Sequence, residues 1–244
     1  MKLNFDYKIF DLENYLTKDE FLDLENKVNK FDVNLDKIKS TLGFLSWSEN
    51  VQNKLKEKNN DRFNNILKNN YITYDDFKIL NDLNNEEGFY DEDYFNFFLT
   101  YSNSTFKEVG IYEHIKKVYF GIITELFNKK VKKEYEDTFI GNINIYPKGS
   151  FIRKHQDNDP DGQRLFTILF FLNSDRTLDQ GSILKLYTKN GLVDFISNFK
   201  KCVLIEHQNY NYTHEVTHNL VDDIRYSVYS PFTIKDYNEK LEDV

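Results

Sequence analysis

The sequence predicts an α+β fold, in which a double-stranded β-helix, or jelly roll, forms the core beneath a helical N-terminal layer. Two observations lead to this prediction. The apolar pattern is mostly helical from about residue 16 to residue 134, and after residue 138 it changes to short β-branched and aromatic runs. Turn residues separate these runs and no helix-length segment interrupts them, which is typical of an antiparallel sandwich or barrel.

Length and composition indicate one large domain. The chain has 244 residues, of which 16% are aromatic, so it can bury a sizeable core. The sequence shows neither an internal repeat nor a clear linker. We therefore predict a single domain over residues 1–244, with 1–137 as mainly helical support and a candidate lid, and 138–235 as the jelly-roll core.

Charge and cysteine content limit the partners and the compartment. The formal net charge is −8, which does not provide the basic surface that nucleic-acid binding requires. A single cysteine, Cys202, excludes an internal disulfide and fits a reducing compartment. No segment resembles a signal peptide or a membrane span. We expect a cytoplasmic protein without nucleic-acid or membrane partners, and the sequence does not indicate its oligomeric state.

The first predicted elements are helices. Thr17 and Glu20 have the spacing of a capping box, and a second candidate box is formed by Thr105 and Glu108. The apolar positions that follow the first box on one helical face are Phe21, Leu24, Val28 and Phe31. Those that follow the second are Val109, Tyr112, Tyr119, Ile122 and Leu126. The second stripe predicts a long helix packed on a sheet. The Asn-rich segments between residues 48 and 101 are the candidate lid.

The later elements are strands separated by turns. The apolar runs read "FIGNINIYP", "RLFTILFFLN", "SILKLYT", "KCVLIEH" and "IRYSVYSPF". Pro, Gly, Asn and Asp residues lie between them, as expected for short antiparallel strands.

A candidate metal site begins with His155 and Asp157. In an extended segment, residues two apart point to the same face, although such a pair alone is more often an ordinary polar strand end. His214, in "THEV", can return beside this strand in a jelly roll. Two histidines and a carboxylate form a facial triad, which leaves positions open on Fe(II). His218 is an alternative to His214, and the short separation between His218 and Arg225 for two strands and a turn favours His214.

Arg225 is a second candidate site residue, because it lies in a strand that is otherwise apolar. A charge that points into a barrel needs a partner, and a dicarboxylate ligand would supply one through planar hydrogen bonds. Ser227 would lie on the same face. The alternative for Arg225 is a salt bridge to an acidic residue at the rim. We expect His207 and His114 to be surface or hydrogen-bonded histidines, and Cys202 to be a small buried residue.

Together these motifs resemble the Fe(II)/2-oxoglutarate-dependent oxygenase superfamily, and within it the prolyl 4-hydroxylase-like branch. The resemblance covers roughly residues 142–232 and includes "YPKGSFIRKHQDNDPDGQRLFTILFFLN", "GSILKLY", "HEV" and "RYSVY". The matching positions, in family order, are Tyr146-Pro147, His155-Gln156-Asp157-Asn158, Arg164, Leu172-Asn173, Gly181, His214 and Arg225.

The resemblance implies a role for each site residue. His155, Asp157 and His214 would bind Fe(II), and Arg225 would pair with the distal carboxylate of 2-oxoglutarate. The residues that would assist Arg225 or line the co-substrate pocket are Ser227, Tyr146 and Thr167. Such enzymes use O2 to hydroxylate a C–H bond while 2-oxoglutarate becomes succinate and CO2, with ascorbate as a supporting reductant. A carboxylate ligand favours hydroxylation over halogenation.

The resemblance favours a peptidyl residue, in a prolyl-hydroxylase-like reaction, or an amino acid as the substrate. The alternatives are a hydroxylase of a small molecule or natural product, a non-catalytic jelly-roll module that binds a metal, and a zinc hydrolase in which Glu215 is the general base. The chain departs from the family at Phe171, where a tyrosine hydroxyl usually contacts 2-oxoglutarate, and at Gln180 and Tyr229. We expect Ser227 or Thr167 to replace the missing hydroxyl.

Overall fold

The computed structural model describes most of the chain. The described residues are 3, 5–30, 35, 39–41, 45–58, 60–69, 71–89, 93–101, 107, 110–137, 139, 141–157, 163–173, 176–208 and 213–243.

Six α-helices lie within these residues. They are α1 (Lys18–Asn29), α2 (Glu49–Glu57), α3 (Asp61–Lys68), α4 (Tyr74–Glu87), α5 (Tyr112–Phe127) and α6 (Ile234–Lys240). The strands before α5 are β1 (Tyr7–Asp11), β2 (Lys39–Thr41), β3 (Leu45–Trp47), β4 (Tyr71–Thr73), β5 (Tyr94–Phe97) and β6 (Leu99–Tyr101). The later strands are β7 (Lys129–Val131), β8 (Asn142–Tyr146), β9 (Phe151–His155), β10 (Arg164–Phe171), β11 (Leu184–Thr188), β12 (Gly191–Phe195), β13 (Lys201–Glu206), β14 (Thr213–Val216), β15 (Arg225–Thr233) and β16 (Leu241–Asp243).

Two six-stranded antiparallel sheets form the core. The first, here called the major sheet, has the order β1-β13-β10-β15-β8-β6. The second, the minor sheet, has the order β12-β11-β14-β9-β5-β3. Two small sheets pair β16 with β7 and β2 with β4. This arrangement of helices with antiparallel sheets confirms the predicted α+β class with a jelly-roll core.

The helical layer packs on the major sheet largely as the apolar stripe predicts. Helix α5 buries Ile115, Val118 and Ile122, and the Tyr119 hydroxyl donates to the carbonyl oxygen of Pro231 in β15 at 3.1 Å. The Thr105–Glu108 box and Val109 lie outside the described residues, and α5 begins at Tyr112.

The capping box at the start of α1 is confirmed. The Thr17 hydroxyl accepts from the backbone N–H of Glu20, whose carboxylate accepts from the Thr17 N–H in return. Leu24 and Val28 are buried, and Phe31 lies outside the described residues.

The N-terminal part of the chain also supplies strands to both sheets, although its apolar pattern predicts mainly helices. β1 and β6 extend the major sheet, and β3 and β5 extend the minor sheet. The jelly roll therefore draws strands from before residue 138 as well as after it, and the single-domain interpretation stays a prediction.

None of the helices in the described part of the chain combines the length and the apolar character needed to cross a membrane.

Candidate active site

A cavity of about 380 Å³ lies between the two sheets. From the major sheet and the residues flanking it, the lining includes Asn142, Asn144, Tyr146, Arg164, Thr167, Leu169, Ile205, His207, Arg225, Ser227 and Tyr229. Opposite them are Phe98, Ile152, His155, Asp157, Leu184, His214 and Val216. The size suits a small ligand, and the mixed lining gives a few polar groups on an apolar background.

A β-bulge turns the first histidine towards the cavity. His214 pairs with His155, whereas Val216 pairs with Ile152, so β9 contains one more residue than β14 between these pairs. In a regular strand, residues three apart point to opposite faces. The extra residue shifts the alternation, so that Ile152 and His155 both line the cavity.

Three side chains form a cluster that can hold a metal ion. His155, Asp157 and His214 each offer a ligand atom, and these atoms lie within 4.8 Å of one another. The Nε2 atoms of His155 and His214 are 3.6 and 3.7 Å from Oδ1 of Asp157. Nδ1 of His155 is 2.7 Å from the carbonyl oxygen of Arg153, so an Nδ1–H donates there and the Nε2 lone pair is directed to the cluster.

Asp157 is held as a carboxylate by the groups around it. Arg164 donates from Nη1 to Oδ2 at 2.8 Å, and Nε2 of His207 is 3.5 Å from the same oxygen. Burial alone would raise the pKa of Asp157, but the contact with His155 and the electrostatic interactions with His214, His207 and Arg164 outweigh it and hold this pKa well below its usual range. The site therefore provides an ionised oxygen ligand at neutral pH.

Arg225 lies at the other end of the cavity and is only 2% exposed. Its Nε donates to the Ser197 hydroxyl at 2.9 Å, and its guanidinium lies 4.5 Å from the centre of the Tyr146 ring. Among the described residues, Nη1 has no hydrogen-bond partner and no carboxylate pairs with Arg225. Burial lowers the pKa of Arg225, although Tyr146 acts in the opposite direction. The alternative of a salt bridge at the rim is wrong.

Strand register places the two candidate hydroxyls, those of Ser227 and Thr167, at different ends of the cavity. Ser227 pairs with Phe171 across β10 and β15, and both side chains are buried. Thr167 lies four positions before Phe171 along β10, where its hydroxyl is 3.0 Å from Nε2 of His207. Ser227 is therefore the hydroxyl beside Phe171, and Thr167 belongs to the metal end of the cavity.

His207 is a site residue that the sequence pattern did not identify, although the expectation of a hydrogen-bonded histidine is confirmed by its contact with Thr167. Its side chain is 6% exposed, as expected for a hydrogen-bonded histidine, but it lines the cavity beside Asp157. Its position in "KCVLIEH", just beyond an apolar strand, was the available signal. The prediction for His114 is confirmed, since its Nε2 lies 3.1 Å from Asp23, away from the site.

The competing site residues do not join the cluster. His218 packs on the Phe151 ring, with ring centres 4.3 Å apart, and does not line the cavity. Glu215 lies between the two cavity-lining residues of β14 and accepts a hydrogen bond from the Tyr187 hydroxyl at 2.7 Å. This hydrogen bond raises the pKa of Tyr187 to about 12. Glu215 is thus not placed to act as a base on a cluster-bound water. Cys202 is buried in β13, as predicted.

The residues present fit an Fe(II) ion and a dicarboxylate. Two imidazoles and one carboxylate are the donor set that non-haem Fe(II) takes. The buried Nη1 of Arg225, without a partner in the described residues, is a donor that a carboxylate would satisfy.

No family model and no curated protein matches this sequence. Solved structures do match the fold. A prolyl hydroxylase from Trichoplax adhaerens, in complex with a hypoxia inducible factor oxygen degradation domain peptide fragment, is 15% identical with a TM-score of 0.56, covering 96% of this chain and 86% of that one. A Pseudomonas putida prolyl-4-hydroxylase is 13% identical with a TM-score of 0.50, covering 94% of each chain. These likenesses confirm the fold that the family resemblance implied.

Proposed function

We propose that this protein is an Fe(II)- and 2-oxoglutarate-dependent dioxygenase that hydroxylates an unactivated C–H bond. The proposal rests on one observation above the others. A cavity between two jelly-roll sheets has the His155–Asp157–His214 cluster at one end and, at the other, a buried Arg225 whose Nη1 has no partner in the described part of the chain.

Each end of the cavity has a role in this proposal. His155, Asp157 and His214 would hold Fe(II), because two imidazoles and a carboxylate are the donor set of non-haem Fe(II) sites that keep room for a co-substrate. When bound, Fe(II), 2-oxoglutarate and O2 supply the oxidising chemistry that inserts oxygen into a C–H bond. Arg225 binds the distal carboxylate of 2-oxoglutarate through charge-assisted hydrogen bonds, and the Ser227 hydroxyl donates a further one.

The apolar wall between the two ends of the cavity also has a role in this proposal, which is to exclude water from the reacting centre. Leu184, Val216 and Ile205 are buried apolar residues that line the cavity between its two polar ends. Tyr146, stacked on Phe98 with ring centres 5.2 Å apart, covers the Arg225 guanidinium. Because water is excluded, the local dielectric constant is lower, and electrostatic interactions at both ends of the cavity are stronger.

The proposed substrate is a peptidyl residue or an amino acid. The fold shared with prolyl hydroxylases supports it, as does the peptide present in the Trichoplax adhaerens complex. The net charge of −8 supports the expectation that nucleic acid is not the substrate. We further propose a cytoplasmic location, which the single buried cysteine supports.

Succinate release tests the activity. The purified protein with Fe(II), ascorbate, O2 and 2-oxoglutarate should form succinate slowly on its own and faster with a true substrate. Proline-containing peptides and free amino acids can then be compared for the mass of one added oxygen. A protein that binds Fe(II) but not 2-oxoglutarate would be a non-catalytic metal-binding module, and the enzyme proposal would fail.

A further inference from the structure

His207 and Arg164 are brought together by strand pairing. Thr167 pairs with Ile205 in the antiparallel β10–β13 ladder, so the end of β13 lies beside the start of β10. The backbone N–H of His207 donates to the carbonyl oxygen of Leu165 at 3.0 Å. The Gln208 side chain donates to the carbonyl oxygen of Arg164 at 2.7 Å. Two residues 43 positions apart in sequence are thus fixed against the same carboxylate.

The two oxygens of Asp157 have different surroundings. Oδ1 faces Nε2 of His155 and His214 at 3.6 and 3.7 Å, which is the side on which a metal would bind. Oδ2 instead faces Nη1 of Arg164 at 2.8 Å and Nε2 of His207 at 3.5 Å. Oδ1 is therefore directed towards His155 and His214, whereas Oδ2 contacts residues that do not belong to the metal cluster.

The His207 ring is itself held in place. It is almost fully buried, and its Nε2 lies 3.0 Å from the Thr167 hydroxyl oxygen. With its proton on Nε2, the ring would present one N–H to both the Thr167 hydroxyl oxygen and Oδ2 of Asp157. The ring thereby links β10, β13 and the segment after β9.

From this geometry we propose that Arg164 and His207 are positioning residues that hold Oδ2 of Asp157 as a clamp and thereby keep Oδ1 directed towards His155 and His214. The inference rests on the proposed function, because it assigns a role within the same metal site. Partners of this kind fix the orientation of a ligating carboxylate before the metal arrives.

Metal binding tests the clamp without reference to turnover. Co(II), a coloured probe for the metal site, is titrated into the full chain without iron, and affinity and absorption spectrum are recorded for wild type, His207→Leu and His207→Gln. We expect His207→Leu to bind Co(II) about 10–100-fold more weakly, with an altered spectrum, as is typical for loss of an outer partner. His207→Gln should restore most of the affinity, because its amide N–H can replace Nε2–H.

His114→Leu is the matched control, since it removes a histidine outside the site. It should bind Co(II) as wild type does. Urea unfolding of each variant checks that the protein is folded. If His207→Leu does not fold, Thr167→Val removes the partner that holds the ring, and weaker Co(II) binding is again expected.

The outcomes separate the clamp from the proposed function. If wild type binds Co(II) and His207→Leu, or Thr167→Val in its place, matches its affinity and spectrum, the clamp is wrong and the metal site stands. If wild type does not bind Co(II), the proposed function itself fails and the clamp fails with it.

Discussion

The two ends of the cavity differ in how their charges are balanced. At the metal end, the Asp157 carboxylate has four nitrogen-bearing side chains within 3.7 Å. At the other end, the Arg225 guanidinium is buried and pairs with no carboxylate in the described part of the chain. At the metal end, side chains of the protein balance the negative charge of Asp157. At the other end, the positive charge of Arg225 is balanced only when a negatively charged ligand binds.

Replacing Asp157 should produce the largest effect. Asp157→Ala removes a proposed ligand and leaves Arg164 without its counter-charge. We expect metal affinity to fall by more than about 100-fold, which exceeds the loss typical of outer partners, and succinate release to be abolished. Co(II) titration and a succinate assay measure both. Asp222→Ala, which changes a carboxylate that is 91% exposed, is the control and should keep both activities. Undiminished metal binding in Asp157→Ala would show that the ligands lie elsewhere.

Replacing Arg225 should weaken 2-oxoglutarate binding without lowering the stability of the ligand-free protein. Arg225→Met removes a buried charge, so we expect 2-oxoglutarate binding to Mn(II)-loaded protein to weaken by at least about 30-fold. The ligand-free protein should be as stable as wild type or more so, because an apolar side chain of similar size needs no partner. Calorimetric titration and urea unfolding measure the two effects.

Ligand-induced stabilisation gives a second measurement on the same variant. At about 100 times its Kd for wild type, 2-oxoglutarate should stabilise wild type by about 2.7 kcal/mol. The same concentration is only about 3 times the Kd of a variant that binds about 30-fold more weakly, so it should stabilise Arg225→Met by about 0.9 kcal/mol or less. A strong destabilisation of the ligand-free variant would mean that Arg225 is a structural residue and would remove the contrast between the two ends.

The smallest effect is expected for the hydroxyl beside Arg225. Ser227→Ala should weaken 2-oxoglutarate binding by about 2–10-fold, the value of one hydrogen bond. Ser230 is buried on the same strand three positions later, and its hydroxyl has no partner among the described residues, which makes Ser230→Ala the matched control. Equal 2-oxoglutarate affinities in the two variants would mean that the Ser227 hydroxyl does not replace the tyrosine hydroxyl that related enzymes have at the position of Phe171.

Much of the site could be predicted because its residues lie in strands with a clear pattern. Arg225 and Ser227 are two apart in β15 and both line the cavity, as alternation requires. His214 was distinguished from His218 by the space needed for a turn. The resemblance to a known family then supplied roles that spacing alone could not.

Other features depend on pairings that a single sequence does not display. Counted from Ile152, alternation would place His155 on the wrong face, and only the bulge against β14 corrects this. The proximity of His207 to Asp157 follows from the β10–β13 register. The strands β3, β5 and β6 have only three or four residues each, too short for a periodic pattern, and they are stabilised by partners distant in the chain.

The position of β1 has a consequence for handling the protein in the laboratory. This strand pairs with five of the six residues of β13, from Tyr7–Ile205 to Asp11–Lys201. A version shortened past Asp11 would leave the N–H and C=O groups of "KCVLIE" open at a sheet edge, in a segment that is strongly apolar. Such an edge recruits strands from other molecules. Shortened versions should therefore self-associate, and purification tags are better placed ahead of an intact β1 than in exchange for it.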